Sequence, residues 1–393
     1  MGVDRVSAGN QKQLVSNLRS EFSRVYDGAP EGCYLAPGRV NLIGEHLDYN
    51  SGKCLPMALP HATYAAMSTR WDGLIRVTSL QQDRPWQGAL ADLGPGRVDG
   101  WPSYVAGVVW AIREQAHDVP GLDIVVDSRV PVGAGLSSSA ALECSVAVGI
   151  CDLLGVELTE AVRRDLVTAC IRAETEVAGA PTGGMDQTVA LGATAGHALL
   201  LDCRDWSTEQ VPWDPTDLVL LVIDTRAEHQ LTDGGYAARR ADCEAAAKLL
   251  GVSSLREVDE PDAAMASIEE ERVRRRARHV FTEMRRVELA VEELQRRDFT
   301  ALGRTFHASH VSLRDDFEVS CDELDVAVAV SEDAGALGAR MTGGGFGGSA
   351  IALVPSDRVD SASEAVAAAF SERGFTAPGF LVAEPSAGAR RIR

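Results

Sequence analysis

The stretch from Leu122 to Cys151 limits the possible folds of this chain more than any other. It reads as a strand, Leu122–Asp127, then P-V-G-A-G-L-S-S-S-A-A-L-E from Pro131 to Glu143, then an apolar helix. The helix is expected because Ala141, Cys144, Val148 and Cys151 recur at the three-to-four spacing of one buried face. A glycine loop between strand and helix presents backbone N–H groups at the positive end of the helix dipole, a geometry suited to phosphate. Serine is also a favoured helix cap. Three consecutive serines, Ser137, Ser138 and Ser139, exceed what capping requires, so a role toward an anion or metal is favoured. The G-K-[ST] ending of a Walker loop is absent.

The surrounding pattern is mixed. Leu14–Tyr26 reads as an amphipathic helix, and Thr63–Thr69 and Leu74–Leu80 as strands flanking Trp71-Asp72-Gly73. A second helix is predicted over Glu160–Val177, ended by Gly179, Pro181, Gly183 and Gly184. Strand signals return at His197–Cys203 and Leu218–Asp224. Helical patterns then run from Tyr236 to about Ser331. Within them the charged run Glu269–His279 reads as a solvated helix face. A strand at Ala350–Val354, a helix near Ser361–Phe370 and a strand near Phe380–Ala383 close the chain. Strands and helices interleave without a regular βαβ rhythm, so the expected class is α+β with two lobes. The lobes are placed at 1–205 and 206–393, with the last strand free to return to the first lobe.

Bulk properties exclude several classes. The 393 residues suit two domains, and 45% apolar with 24% charged residues is globular composition. A formal net charge of −19 repels phosphate backbones, so nucleic acid is not an expected partner. Any anionic ligand must be held by a local site. The eight cysteines form no C-x-x-C pair or zinc spacing, which suits reduced thiols in the cytoplasm. The N-terminus has no apolar signal core, its M-G-V-D-R-V opening lacks the hydroxyl residue of an acylation signal, and no apolar run suits a bilayer.

Two further clusters carry chemistry. A-P-G-R-V-N-L-I-G-E-H-L-D-Y-N-S-G, Ala36 to Gly52, crowds Arg39, Glu45, His46 and Asp48 beside Gly38 and Gly44. Carboxylates, an imidazole and a guanidinium fork are the groups that hold sugar hydroxyls, although charged side chains at a strand–turn junction are as often merely exposed. M-T-G-G-G-F-G-G-S-A, Met341 to Ala350, has more glycine than a tight turn needs, which implies close approach of backbone to backbone or ligand. Between the clusters stands G-G-M-D-Q, Gly183 to Gln187, with Glu174 upstream on the predicted helix.

Together these segments resemble the galactokinase family, a branch of the superfamily of galacto-, homoserine, mevalonate and phosphomevalonate kinases. G-R-V-N-L-I-G-E-H-L-D-Y resembles the family signature, and the glycine–serine loop is shared by the whole superfamily. G-G-G-F-G-G is similar to the third superfamily motif, and the likeness continues through H-A-L-L-L-D-C-R, the Tyr236-A-A-R-R run, R-A-R-H-V and S-H-V-S-L-R-D-D-F-E-V-S-C. The resemblance implies a ribosomal-protein-type N-terminal lobe, a ferredoxin-like C-terminal lobe and an active site in the cleft between them. It implies Asp186 as catalytic base and Arg39 as the partner that keeps it ionised and stabilises the transferring phosphoryl group. Glu45, His46, Asp48, Gly183 and Tyr236 would hold the sugar. Gly133, Ala134, Gly135, Leu136, Ser137, Ser138 and Ser139 would hold ATP phosphates, and Ser139 and Glu174 would bind Mg2+. Trp101 and Tyr104 match aromatics beside adenine, with core packing as the equal alternative. The implied partners are one sugar and ATP, without nucleic acid or membrane, and the simplest assembly is a monomer.

Two positions depart from the family pattern. Leu47 stands where Thr is common, and Ser51 where Gly or Asp is frequent. A leucine between His46 and Asp48 opens the alternatives of an N-acetylgalactosamine or arabinose kinase. A non-catalytic sugar and ATP sensor is a further alternative, disfavoured by the uninterrupted S-S-S-A-A and the presence of Asp186.

Overall fold

In the computed structural model, which describes residues 3–115, 117–227 and 234–392, the strands form three sheets. Met1 and Gly2, where the acylation pattern would begin, lie outside the described residues. The six-stranded sheet runs in the order Arg390–Ile392, Gly32–Asn41, Pro56–Arg70, Gly121–Ser128, Leu74–Ser79, Trp86–Ala89. Its neighbours are antiparallel, except that Leu74–Ser79 runs parallel to Gly121–Ser128.

Both faces of this sheet are covered, and the period of two along its strands explains how. Cys33, Leu35, Ala66 and Val125 face helix Gln11–Tyr26 through Leu14, Leu18 and Phe22. Tyr34, Ala36, Ala65, Met67, Ile124 and Val126 face the other way, toward helices Pro102–Glu114 and Ser138–Leu153. A strand buried on both sides reads as a continuous apolar run, which is why Pro56–Arg70 extends well beyond the expected Thr63–Thr69.

The five-stranded sheet has the order Asp4–Arg5, Gly379–Ala383, Leu218–Asp224, Ser349–Pro355, Gly338–Thr342. Helices Glu271–Gln295, Phe299–Ser312, Asp322–Asp333 and Val359–Arg373 add to its core. That core does not stop at the second half of the chain. Val40, Leu42, Ile43, Leu47, Leu55 and Met57 belong to the same packed cluster as Leu221, Val280, Phe306 and Ile351. The ends of the chain also cross over: Asp4–Arg5 pairs with Gly379–Phe380, and Arg390–Ile392 pairs with Cys33–Leu35. The small third sheet, Lys53–Cys54, His197–Asp202 and Ser207–Pro212, adds Cys54, Leu201 and Val211 to that same core.

Two expectations change. The helix predicted over Glu160–Val177 is α-helical only through Arg172, and Ala173–Val177 is a π-helical turn. The charged run Glu269–His279 is not simply solvated. In helix Glu271–Gln295 it buries Val273, Arg276, Ala277 and His279, and Arg276 is held by Asp242, Glu318 and the Asp316 carbonyl. Charge density alone does not separate arginines in water from arginines drawn into the fold by ion pairs.

Candidate active site

Strand Gly32–Asn41 slips its register between Pro37 and Arg39, where the partner strand Pro56–Arg70 bulges between Ala58 and Ala62. A β-carbon on Gly38 would sit 2.7 Å from the Leu136 carbonyl oxygen, so only glycine allows the glycine loop to come this close. The loop is then pinned by its carbonyls. Arg39 N donates to Leu136 O at 3.1 Å, Arg39 Nη1 to Gly135 O at 2.6 Å, and Ser349 Oγ to Ala134 O at 2.7 Å. Among the described residues the amides of residues 133–139 donate no hydrogen bond beyond the loop's own turn. The loop spends its acceptors on the protein and keeps its donors, the arrangement an anion requires.

Ser137 does not cap the helix that follows it. It has φ +61° and makes no side-chain cap to helix Ser138–Leu153. Its hydroxyl donates instead to Asp186 Oδ2 at 2.5 Å. The same carboxylate takes the guanidinium fork of Arg39, from Nε at 2.8 Å and Nη2 at 2.9 Å. Asp186 lies in the first turn of helix Met185–Gly192, where the dipole favours an anion.

Ser138 and Ser139 open the helix, and the Ser139 hydroxyl bears on Glu174 in the π turn. Burial, reinforced by the Asp186 charge, pushes the Glu174 carboxyl up to about 7 against the pull of Ser139 and Gln187. π turns recur at functional sites because they re-aim one residue within a helix. Behind Glu174 lies a second buried acid, Glu143, whose carboxyl burial pushes well above the usual range.

A cavity of about 220 Å3 opens beside Asp186. Arg39, Asn41, Glu45, His46, Asp48, Glu174, Gly183, Asp186 and Tyr236 all contribute to its wall. Gly183 packs so tightly on Asp48 that a β-carbon would lie 2.3 Å from Oδ2. Burial raises the Asp48 carboxyl above its ordinary value. His46, at φ +63°, shares a hydrogen bond with Tyr49 Oη at 2.8 Å and packs against Phe317 and Tyr236, ring centroids 4.7 and 5.5 Å away. Burial, then the neighbouring His279, lowers His46 to about 3, so it is a neutral imidazole at physiological pH. Its Nε2 has no partner among the described residues.

Glu45 is deeper and largely committed. Arg340, fully buried, pairs with it and also donates to the carbonyl of Leu42 at 2.9 Å. Gly343 N reaches Glu45 Oε1 at 3.1 Å. The glycine run therefore does two jobs: it lines the cavity at Gly343 and Gly344, and it packs close at Gly345, where a β-carbon would meet Val319 O at 2.3 Å.

Leu47 does not face the cavity. It is fully buried in the core cluster with Leu42, Ile43 and Leu55. Ser51 adopts φ +56° at the end of the short helix Asp48–Asn50, and its carbonyl accepts from Arg256 Nη1 at 2.7 Å. Trp101 and Tyr104 stand apart from the cavity wall. Trp101 packs partly against the core beneath helix Pro102–Glu114, while Tyr104 lies near Glu174 and Glu143.

Four site residues escaped the sequence reading. Asn41 shares the cavity-lining strand with Arg39, and neither atom of its buried amide has a partner among the described residues. Its position two residues beyond Arg39, on the same strand face, was the available signal. Gln187 follows Asp186 and contacts both Glu143 and Glu174. Arg340 and Glu283 act from far along the chain and gave no local signal.

A glycine loop aimed at an anion, an arginine-held aspartate and a polar cavity, set between an N-terminal and a C-terminal α+β unit, define a small-molecule kinase of the GHMP type. Models of that superfamily match accordingly: GHMP kinases N terminal domain at residues 103–193 and GHMP kinases C terminal at 290–372. The galactokinase galactose-binding signature matches residues 20–69. The chain belongs to the galactokinase family. It is 50% identical to a galactokinase of Streptomyces coelicolor, over 96% of this chain and 99% of that one. A galactokinase of Canis lupus familiaris is 42% identical, over 87% and 88% of the two chains. The crystal structure of Lactococcus lactis galactokinase complexed with galactose superposes with a TM-score of 0.90 at 32% identity, covering 96% of this chain and all of the other. Methanococcus jannaschii mevalonate kinase, at 14% identity and a TM-score of 0.64, shares the fold.

Proposed function

We propose that this chain transfers the γ-phosphoryl group of ATP to the anomeric C1 hydroxyl of D-galactose, giving α-D-galactose 1-phosphate and ADP. The observation that carries this reading is Asp186, fixed by Arg39 and Ser137 at the boundary between the glycine loop and the polar cavity. A hydroxyl in that cavity gives its proton to Asp186 as its oxygen attacks phosphorus, and the phosphorus–oxygen bond to ADP breaks. Arg39 sits where charge develops, and the loop amides receive the phosphates. His46, Asp48 and Tyr236 hold the sugar hydroxyls, with Asp48 and Tyr236 on the axial 4-hydroxyl that separates galactose from glucose. A buried hydrogen bond lost to the wrong epimer is costly, which gives discrimination.

Mg2+ fits the same site. Ser139 and Glu174 are hard oxygen donors, and the buried Glu174 carboxylate feels the Arg39 charge but forms no ion pair among the described residues. No cluster of three acidic, histidine or cysteine ligands occurs among the described residues, and Mg2+ bound through one or two protein oxygens plus phosphates needs none. The ion would neutralise phosphate charge as transfer proceeds. Trp101 and Tyr104 remain our candidates for the adenine side, and residues 1–205 and 206–393 for the two lobes. No helix among the described residues is long and apolar enough to cross a membrane. The eight free cysteines suit a reducing cytoplasm, where we place the protein as a monomer.

The test is ATP consumption across galactose, glucose, N-acetylgalactosamine, 2-deoxygalactose, arabinose and mevalonate, with the product's phosphate located by NMR. Galactose is expected to give the highest kcat/KM with phosphate on C1. A different preferred sugar would overturn the specificity assignment. Galactose binding without turnover of any substrate would make the chain a sensor.

A further inference from the structure

We propose that Glu143 is a positioning residue for the metal-binding carboxylate of Glu174, acting through the side-chain amide of Gln187. The inference rests on the reading above, in which Ser139 and Glu174 hold Mg2+.

Glu143 lies four residues after Ser139 on helix Ser138–Leu153, so the two share a helix face. It is fully buried, and so is Gln187. Gln187 Nε2 donates to Glu174 Oε2 at 2.5 Å and to Glu143 Oε2 at 3.2 Å. Its Oε1 faces Thr182 Oγ1 at 3.5 Å. Both amide hydrogens go to carboxyl oxygens, and the amide oxygen accepts from the Thr182 hydroxyl. The network defines one orientation of Gln187, and with it one placement of the Glu174 oxygen it grips.

Packing does not explain Glu143. A leucine would fill the same space without the cost of burying an acid. Among the described residues it forms no salt bridge, and its second oxygen, Oε1, has no hydrogen-bond partner. Among the described residues its hydrogen bond is to Gln187 alone. What it supplies is a second anchor for that amide, so that Glu174 and Ser139 keep their mutual spacing. Groups behind a metal ligand tune its affinity in this way. The sugar side chains His46, Asp48 and Tyr236 stand on other segments and do not take part.

The experiment compares Glu143→Ala, Glu143→Gln, Gln187→Met and Glu174→Ala in the full chain. Mg2+ binding is followed calorimetrically with a non-hydrolysable β,γ-imido analogue of ATP, galactose binding is measured separately, and kcat and KM are determined for Mg·ATP. Glu143→Ala is expected to weaken Mg2+ binding by about tenfold or more, the usual scale for a residue behind a metal ligand. It should raise KM for Mg·ATP more than it lowers kcat, with galactose affinity intact. Glu143→Gln, which can still accept from Gln187, should recover most of the loss. Gln187→Met should match Glu143→Ala, and it decides the question if Glu143→Ala does not fold. Unchanged Mg2+ affinity in Glu143→Ala or Gln187→Met overturns the inference, as does equal loss of metal and galactose binding. Wild-type metal affinity in Glu174→Ala would instead overturn the metal reading beneath it.

Discussion

Ser137 has two possible uses at a helix start, and its hydroxyl goes to Asp186 rather than to the helix. Ser137→Ala should therefore cost activity and not helix stability. Losing a hydrogen bond to a charged group is worth about 1.5–3 kcal/mol, so kcat should fall by roughly tenfold or more. Thermal unfolding should show none of the ~1 kcal/mol expected for a lost cap. Asp186→Asn should lower kcat by at least about a hundredfold while galactose still binds, checked by turnover and calorimetry together. Leu47 invites the opposite experiment. It looked like a specificity position because of its neighbours in sequence, yet its side chain is core. Leu47→Thr should destabilise the protein by about 1–3 kcal/mol through a buried hydroxyl, leaving the ranking of sugars unchanged. A shifted sugar ranking would place Leu47 in the sugar's environment after all.

Among the elements, helix Glu271–Gln295 supports the signature loop from behind. Glu283 accepts from Gly44 N at 3.0 Å, Ser309 Oγ at 2.7 Å and Arg286 Nε at 2.6 Å. Burial works against its charge, but Arg286, His279 and Arg340 outweigh burial and hold its carboxyl down at about 2. A carboxyl depressed on folding stabilises the native state fully above its unfolded value near 4.5, and that contribution is lost as pH falls toward 2. In denaturant unfolding at pH 7, 5, 4 and 3, the difference between wild type and Glu283→Gln should shrink below about pH 4.5, apart from the slope that the depressed His46 and His279 add below 6.5. Glu283→Gln should remove a contribution on the order of 3 kcal/mol and flatten that slope. An unchanged slope would mean other carboxyls carry it. The π turn at Ala173–Val177 was not legible, since its sequence continues a good helix and the extra residue per turn is imposed by what Glu174 faces.

Across the whole molecule, strand Arg390–Ile392 ties the end of the chain to the strand that carries Arg39. Ile392 packs with Leu14, Leu18 and Phe22, and Arg391 Nη1 reaches Asp152 at 2.8 Å. Deleting residues 390–393 should cost about 2–4 kcal/mol, from one buried side chain and a row of backbone bonds, and lower the melting temperature. An unaltered melting temperature would show the strand to be dispensable. The surface carries a net −19, yet the phosphate loop presents donors and lies next to Arg39. A phosphate held there would be held locally, against the global field.

The chemistry-bearing residues were legible because they sit in short contiguous runs. Gly133–Ser139, Arg39–Asp48 and Gly183–Asp186 each depend on backbone geometry that glycine and its neighbours specify locally. The same holds for the long helices and the doubly buried strands, whose periodicity is a property of each segment alone. The tertiary structure alone decided which partner each side chain took. Arg340 with Glu45, Gln187 between Glu143 and Glu174, and Leu47 turned into the core all bring together groups from distant parts of the chain. Burial and charge pairing depend on what arrives from the other elements, and no local pattern carries that information.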